Sequence, residues 1–209
     1  MARDGRHQTK SSILKVGAEI VHNKGFNNTG IQEILKGAGV PKGSFYFYFQ
    51  NKEDFGLQLI DFYAEVLFAR LERSSARREL SPLNRLRGFF AEFLDLFECN
   101  ECRGGCPIGN MAQEMGDLNE DFRIRLEQVF GRMQAMLVEF LNEARAAGEV
   151  DPDLEAHDVA GFILNSWQGA ILQMKVVKSI EPLKNFERVV FGNLLPVVLN
   201  TNEQGDRDE

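Results

Sequence analysis

Residues 39–52, Gly-Val-Pro-Lys-Gly-Ser-Phe-Tyr-Phe-Tyr-Phe-Gln-Asn-Lys, constrain the fold more than any other stretch of the chain. Aromatic and basic side chains crowd a short segment between a turn glycine and a cap residue. A core helix would not mix Lys42, Ser44, Tyr46 and Tyr48 among its apolar residues. A helix lying against phosphates would, because Lys, Ser and Tyr all donate hydrogen bonds to phosphate oxygens. The preceding stretch, 29–39, reads as a short helix with Ile31, Ile34 and Leu35 on one face. Thr29 is its expected N-cap, and Gly39 serves the tight turn. Helix, glycine turn and second short helix describe a helix-turn-helix, whose second helix enters the major groove of DNA.

The charge distribution supports that reading although the total does not. The 209-residue chain carries a net charge of −7. Residues 1–52 nevertheless hold eight Lys or Arg against three Asp or Glu, a balance of +5, and the remainder balances at −12. A basic head on an acidic body suits a protein that touches phosphates with one end. No apolar run reaches the ~18–20 residues of a membrane span, so no membrane partner is expected. The polar N-terminus lacks the apolar stretch of a signal peptide, and a cytoplasmic location is the expectation.

The rest of the chain reads as helix, giving an all-α fold. Helices are expected at about 9–24, 30–37, 41–48, 51–73, 82–98, 107–116 and 120–147, then from Glu155 or His157 to about 178, and from Glu181-Pro182 to near Leu199. Asn51, Ser81 and Asn119 are the expected caps, and Gly148 a stop. Phe55, Leu59, Phe62, Val66 and Leu67 form the expected buried stripe of the fourth helix. This divides the chain into a head at 1–50, a helical body at 51–200 and a disordered polar tail at 201–209. Residues 159–177 and 186–199 are apolar around more than one face, including Val197 and Val198. Such helices must bury more than one face, which predicts a homodimer through a two-fold four-helix interface.

Several motifs at fixed spacing resemble the TetR family of transcriptional repressors. They are Gly25-Phe26, Thr29-Gly-Ile31, Ala38-Gly39-Val40, Lys42-Gly-Ser-Phe-Tyr-Phe-Tyr-Phe49 and Asn51-Lys52-Glu53. The resemblance is dense over residues 10–60 and implies an N-terminal three-helix DNA-binding domain with a C-terminal helical effector and dimerisation domain. It also implies homodimerisation and a double-stranded, pseudo-palindromic operator. Carried over residue by residue, the DNA-binding set is Thr29, Lys42, Gly43, Ser44, Tyr46, Phe47, Tyr48 and Lys52. Thr29 would hold a phosphate at a helix N-terminus, and Lys52 would contact a phosphate. Phe47 departs from the common pattern and either meets a thymine methyl or packs inward. Phe45 and Phe49 are expected in the core.

The three cysteines, Cys99, Cys102 and Cys106, all fall within eight residues. An odd count argues against a disulfide framework. Inert thiols, a reactive thiol and a weakly supported zinc site remain open from the residues alone. The motifs Gly105-Cys-Pro-Ile-Gly-Asn110 and Ala112-Gln-Glu-Met-Gly-Asp-Leu118 resemble a NemR-like subgroup of the family that responds to electrophiles and oxidants. That resemblance implies Cys106 as the sensing thiol and Lys175 as a nearby cation; Cys99 and Cys102 have no family counterparts, and thiol chemistry alone offers them as resolving thiols for an oxidised Cys106. Its signal would reach the head through the helix at 51–73. The alternative effector is a small apolar molecule bound non-covalently among Phe89, Phe93, Phe97, Phe130, Met133 and Trp167, with structural cysteines. No phosphate loop, catalytic triad or paired-His motif is present, so neither an enzyme, a catalytic residue, a metal nor a cofactor is expected. His7, His22 and His157 are scattered and expected to be exposed or capping.

Overall fold

Caps and glycines set where each helix begins and ends. The computed structural model describes residues 2–195, with side chains from Gln8 onward. Every regular element among them is helical. Helix α1 (Ala2–Lys24) begins earlier than its apolar pattern predicts and stops where Gly25 turns left-handed at φ +85°. Helix α2 (Ile31–Gly37) follows, and Gly39 at φ +65° makes the turn after it. The recognition segment is shorter than expected: a 3₁₀ turn at Lys42–Ser44 leads into a single α-turn, α3 (Phe45–Tyr48). Helix α4 (Lys52–Ser75) is capped by Asn51, whose Oδ1 accepts the Asp54 N–H at 2.7 Å.

Helix α5 (Pro82–Cys99) opens on Ser81 with Pro82 at its first position, where no N–H is needed. Helix α6 (Pro107–Met115) starts from Cys106. Helix α7 (Glu120–Ala146) is capped by Asn119, whose Oδ1 accepts from Asp121 at 3.0 Å and Phe122 at 3.2 Å. Gly148, at φ +70°, follows its end. Helix α8 (Ala156–Val177) closes on a left-handed Lys178. Helix α9 (Glu181–Val189) does not run on as expected but widens into a π turn at Val190–Leu194. The apolar Val197 and Val198 and the tail 201–209 lie outside the described residues.

The chain groups into two units, and the first is discontinuous. It comprises residues up to Arg70 together with Cys102–Arg132, so Cys102, Cys106 and α6 belong with the head. The core of this unit contains Phe45, Phe49 and Phe55 at 0–1 % exposure. Their ring centroids lie 5.1, 5.2 and 5.9 Å apart. Each buried Phe contributes about 1.5–3 kcal/mol. The Tyr63 hydroxyl, on α4, donates to Ala18 O of α1 at 2.7 Å, and burial pushes its pKa well up, so it stays a donor. The expected α4 stripe holds at Phe55 and Leu59 and is corrected at Phe62 and Leu67, which are half-buried, and at Val66, which is 47 % exposed, while Ile60, Tyr63 and Phe68 are buried.

The second unit comprises Leu71–Glu101 and the residues from Met133 onward. Trp167 on α8 stacks obliquely against Phe90 at 4.8 Å and Phe186 at 5.0 Å. Helix α8 buries Ile163, Trp167, Ile171 and Met174 within the unit, and exposes Phe162, Leu172, Val176 and Val177 on its other face. Arg85 is buried at 2 % exposure. Its guanidinium donates to Ser75 O at 2.8 Å and to the Glu143 carboxylate, which holds Glu143 below the usual carboxylate range.

Glu143→Gln would leave the Arg85 charge buried without its counter-ion. Breaking a fully buried pair costs about 3–5 kcal/mol. Glu143 is 37 % exposed and so partly solvent-screened, which reduces the expected loss to roughly 1–3 kcal/mol. Because its folded pKa is depressed, its contribution is present above the unfolded carboxylate pKa and fades as pH falls through the folded one. Urea unfolding of both proteins at pH 7 and near pH 3 should show the gap closing in acid.

Candidate nucleic-acid interface

The recognition segment presents a polar and aromatic face that its own core cannot use. Phe45 and Phe49 point inward at 0 and 1 % exposure, as expected, and this alternation fixes what faces outward. Tyr46 is 67 % and Phe47 61 % exposed, so Phe47 does not pack inward. Lys42 and Gly43 are exposed, and Ser44 and Tyr48 are half-buried. An open groove beside this face is lined by Gln32, Glu33, Leu35, Lys36, Val40 and Lys42. Hydroxyls, an ammonium and exposed rings on a helix-turn-helix suit phosphate oxygens and base edges.

Two expected contacts sit differently. Thr29 is not the N-cap of α2. That position belongs to Gly30, with no side-chain cap, while the Thr29 hydroxyl donates to Gly25 O at 2.7 Å. Thr29 is 1 % exposed, so its side chain shapes the α1–α2 corner instead of reaching outward. Lys52 is half-buried: its Nζ donates to Asn27 O at 3.2 Å and lies 4.8 Å from the Phe26 ring centroid.

The same corner is gripped from the cysteine-bearing segment. Glu114 Oε2 accepts the Phe26 N–H at 2.7 Å, and Oε1 accepts the Asn27 N–H at 2.6 Å. His22 Nε2 lies 3.0 Å from Gly105 O, and is therefore neither exposed nor a cap. Neither link was readable from the sequence, since the partners stand 83 to 88 residues apart. A composition signal existed for Glu114 only in the motif at 112–118.

The cysteines separate. Cys106 is half-buried and caps α6, its Sγ accepting the Gly109 N–H at 3.4 Å. Cys102 is buried at 7 % in the same unit, on backbone with φ +56°. Cys99, at the end of α5, is exposed and belongs to the second unit, as does Lys175 on α8. Among the described residues no three His, Cys, Asp or Glu side chains converge to hold a metal.

A helix-turn-helix head with a helical body is the architecture of a class of DNA-binding regulators, and the matches to known proteins agree. Residues 13–59 match the bacterial regulatory proteins of the tetR family, and residues 82–190 the tetracyclin repressor-like C-terminal domain. The chain belongs to the TetR family of transcriptional regulators and is not an enzyme. It is 41 % identical to the transcriptional regulator AcuR of Cereibacter sphaeroides over 85 % of this chain and 81 % of that one. A crystal structure of the regulatory protein TetR from Rhodobacter sphaeroides superposes with a TM-score of 0.80 at 39 % identity, covering 86 % of this chain and 95 % of that one. The reduced form of NemR from Escherichia coli superposes at 0.82 with 30 % identity, covering 88 % and 95 %. Identity to AcuR exceeds identity to NemR, so the family stands while the NemR-like subgroup does not follow from it.

Exposure orders the thiols. A neutral maleimide should label Cys99 and Cys106 in the native protein well before Cys102, which should react only on unfolding. Peptide mass spectrometry over a labelling time course reads this directly, and early labelling of Cys102 would contradict its burial.

Proposed function

We propose that this protein is a cytoplasmic homodimeric repressor whose heads bind a pseudo-palindromic operator and leave it when an effector binds the protein. The outward face of Tyr46 and Phe47 beside Lys42 carries the DNA reading, because it presents a hydroxyl, an apolar ring and an ammonium together on the second helix of the helix-turn-helix. Ser44, Tyr48 and Gly43 complete it, with Lys52 and Thr29 ordering the corner behind. The exposed Phe162–Leu172–Val176 face of α8 supports the dimer: an apolar helix face of this length is covered in a stable assembly.

The effector in this reading is a soft electrophile that modifies Cys106. Its sulfur adds to the β-carbon of an activated alkene such as a maleimide, forming a C–S bond. The π electrons move onto the carbonyl, and the resulting enolate takes up a proton. No group leaves. The adduct removes the sulfur that caps α6, inside the same unit as the head. Cys102, in the same unit, would act as the resolving thiol under oxidants. A second reading, a non-covalent apolar effector, is supported by the Phe90–Trp167–Phe186 cluster of the second unit.

Lys42→Ala should weaken binding to DNA from the chain's own upstream region and to unrelated DNA alike. The slope of log K against log salt should fall by about one. Lys42 is the cleaner probe because Lys52 also holds Asn27 O. An unchanged slope would remove Lys42 from the interface.

N-ethylmaleimide should release wild-type protein from that DNA and leave Cys106→Ser bound, as a gel shift reads. Equal loss from both proteins, or from neither, would overturn the thiol reading and favour the apolar effector.

A further inference from the structure

We infer that Glu114 is a positioning residue for operator binding: from α6, its carboxylate holds the α1–α2 corner in the arrangement that DNA recognition needs. The inference rests on the reading of the head as an operator-binding element. It concerns a residue outside the recognition segment.

The corner ends α1 with Gly25 at φ +85°, whose N–H still reaches Val21 O at 2.8 Å. The next two amides, Phe26 and Asn27, turn side by side toward one carboxylate at 2.7 and 2.6 Å. Successive N–H groups converging on an anion form a nest, and a charged acceptor makes each bond stronger than a neutral one. A Cβ at Gly25 would stand 3.0 Å from Glu114 Oε2 and 3.3 Å from Oε1, so glycine leaves the carboxylate its place. The corner's carbonyls are held as well. Thr29 donates to Gly25 O at 2.7 Å, and Lys52 donates to Asn27 O at 3.2 Å. The Phe26 ring rests on Phe122 of α7 at 5.2 Å, where Gly56 of α4 leaves room for both.

The corner therefore sets two things that DNA binding uses: the start of α2 and the position of Lys52 at the head of α4. Glu114 alone among its ligands comes from the cysteine-bearing segment. That segment touches α1 a second time, through Gly105 O and His22, with Gly104 lacking the Cβ that would meet the His22 ring at 2.7 Å. Cys106 caps the N-terminus of α6, and Glu114 stands two turns further on. A change at the α6 cap thus reaches the head through α6 itself, without passing along α4.

The test uses the full-length protein as Glu114→Ala and Glu114→Gln. Operator and unrelated-DNA affinities are read by fluorescence anisotropy at one salt concentration. Amide exchange at Phe26 and Asn27 and the thermal unfolding midpoint are read alongside. Glu114→Ala should lose roughly tenfold or more in operator affinity, with unrelated DNA changed by less than about twofold, since two charge-assisted bonds are lost and no phosphate contact is. Glu114→Gln, keeping one acceptor oxygen, should fall between, and protection at both amides should drop in the same order. Operator affinity unchanged in Glu114→Ala overturns the inference while leaving the DNA reading intact. Equal loss on both DNAs together with a lowered unfolding midpoint makes Glu114 merely structural, and also overturns it. Should Glu114→Ala fail to fold, Glu114→Gln decides: normal folding with full operator affinity and unprotected Phe26 and Asn27 amides refutes the positioning role. Wild-type protein that binds no upstream DNA at low salt overturns the operator reading and this inference together.

Discussion

The two amides that follow Gly25 impose the constraint on which the first unit depends. A helix end leaves N–H and C=O groups that must find partners, and a half-buried corner cannot leave them all to water. Here a carboxylate 88 residues along the chain accepts the first of them, and a lysine from α4 donates to a carbonyl of the same corner. Cutting the head from residues 102–132 would leave the part-buried Phe26 amide without its acceptor and the exposed Asn27 amide to water. These bonds are among the contacts that join Cys102–Arg132 to the residues up to Arg70 in one compact unit. In such an arrangement the segment that carries Cys106 is part of the reading head, and a sensing role for it needs no distant relay.

Much of this was legible in the sequence. Asn51 and Asn119 cap their helices as short polar residues before apolar periodicity should, and Phe45 and Phe49 fill the core because they share one side of a single turn. The recognition segment was legible because an exposed aromatic surface conflicts with core chemistry. Thr29 misled because Ser and Thr serve two roles near a helix start, capping forward or bonding backward. Burial and the Gly25 carbonyl selected the second. Val66 misled because four-residue spacing tracks one face of a helix only approximately, and its exposed side falls at 47 %. Glu114 and His22 were illegible for a different reason. Their partners are main-chain atoms, and a backbone amide at residue 26 has no side chain through which a sequence can announce it.

The cysteine segment shows how closely the chain is bent to bring α6 into place. Glu101 and Cys102 adopt φ +51° and +56°, and Gly104 and Gly105 follow at +79° and +77°. A left-handed non-glycine residue costs roughly 1–2 kcal/mol. The two glycines avoid that cost; Glu101 and Cys102 do not. Surrounding contacts must offset it: the buried Cys102 side chain, the Asn110 amide on Gly104 O at 2.8 Å, and the His22 ring on Gly105 O. The segment is thus held by a few specific bonds over a strained backbone. Its fixed geometry is sensitive to any change in those bonds, Cys106 capping among them.

Phe47 poses the complementary question, why an aromatic ring should be left outside at all. At 61 % exposure it forgoes much of the roughly 1.5–3 kcal/mol that burying a Phe would add to stability. Tyr48 packs edge-on against it at 5.1 Å and holds the ring in place without covering it. A scattered surface Phe would need no explanation. This one stands beside an exposed tyrosine and an exposed lysine, on the turn where a helix-turn-helix meets its ligand. Stability is given up there at two neighbouring positions, Tyr46 and Phe47, and the Phe47 ring cannot donate a hydrogen bond to compensate. What it can do is exclude water against an apolar group, and in the major groove the apolar group on offer is the thymine methyl. On the proposed reading of this face, Phe47 would add apolar contact where the family more often offers a polar residue.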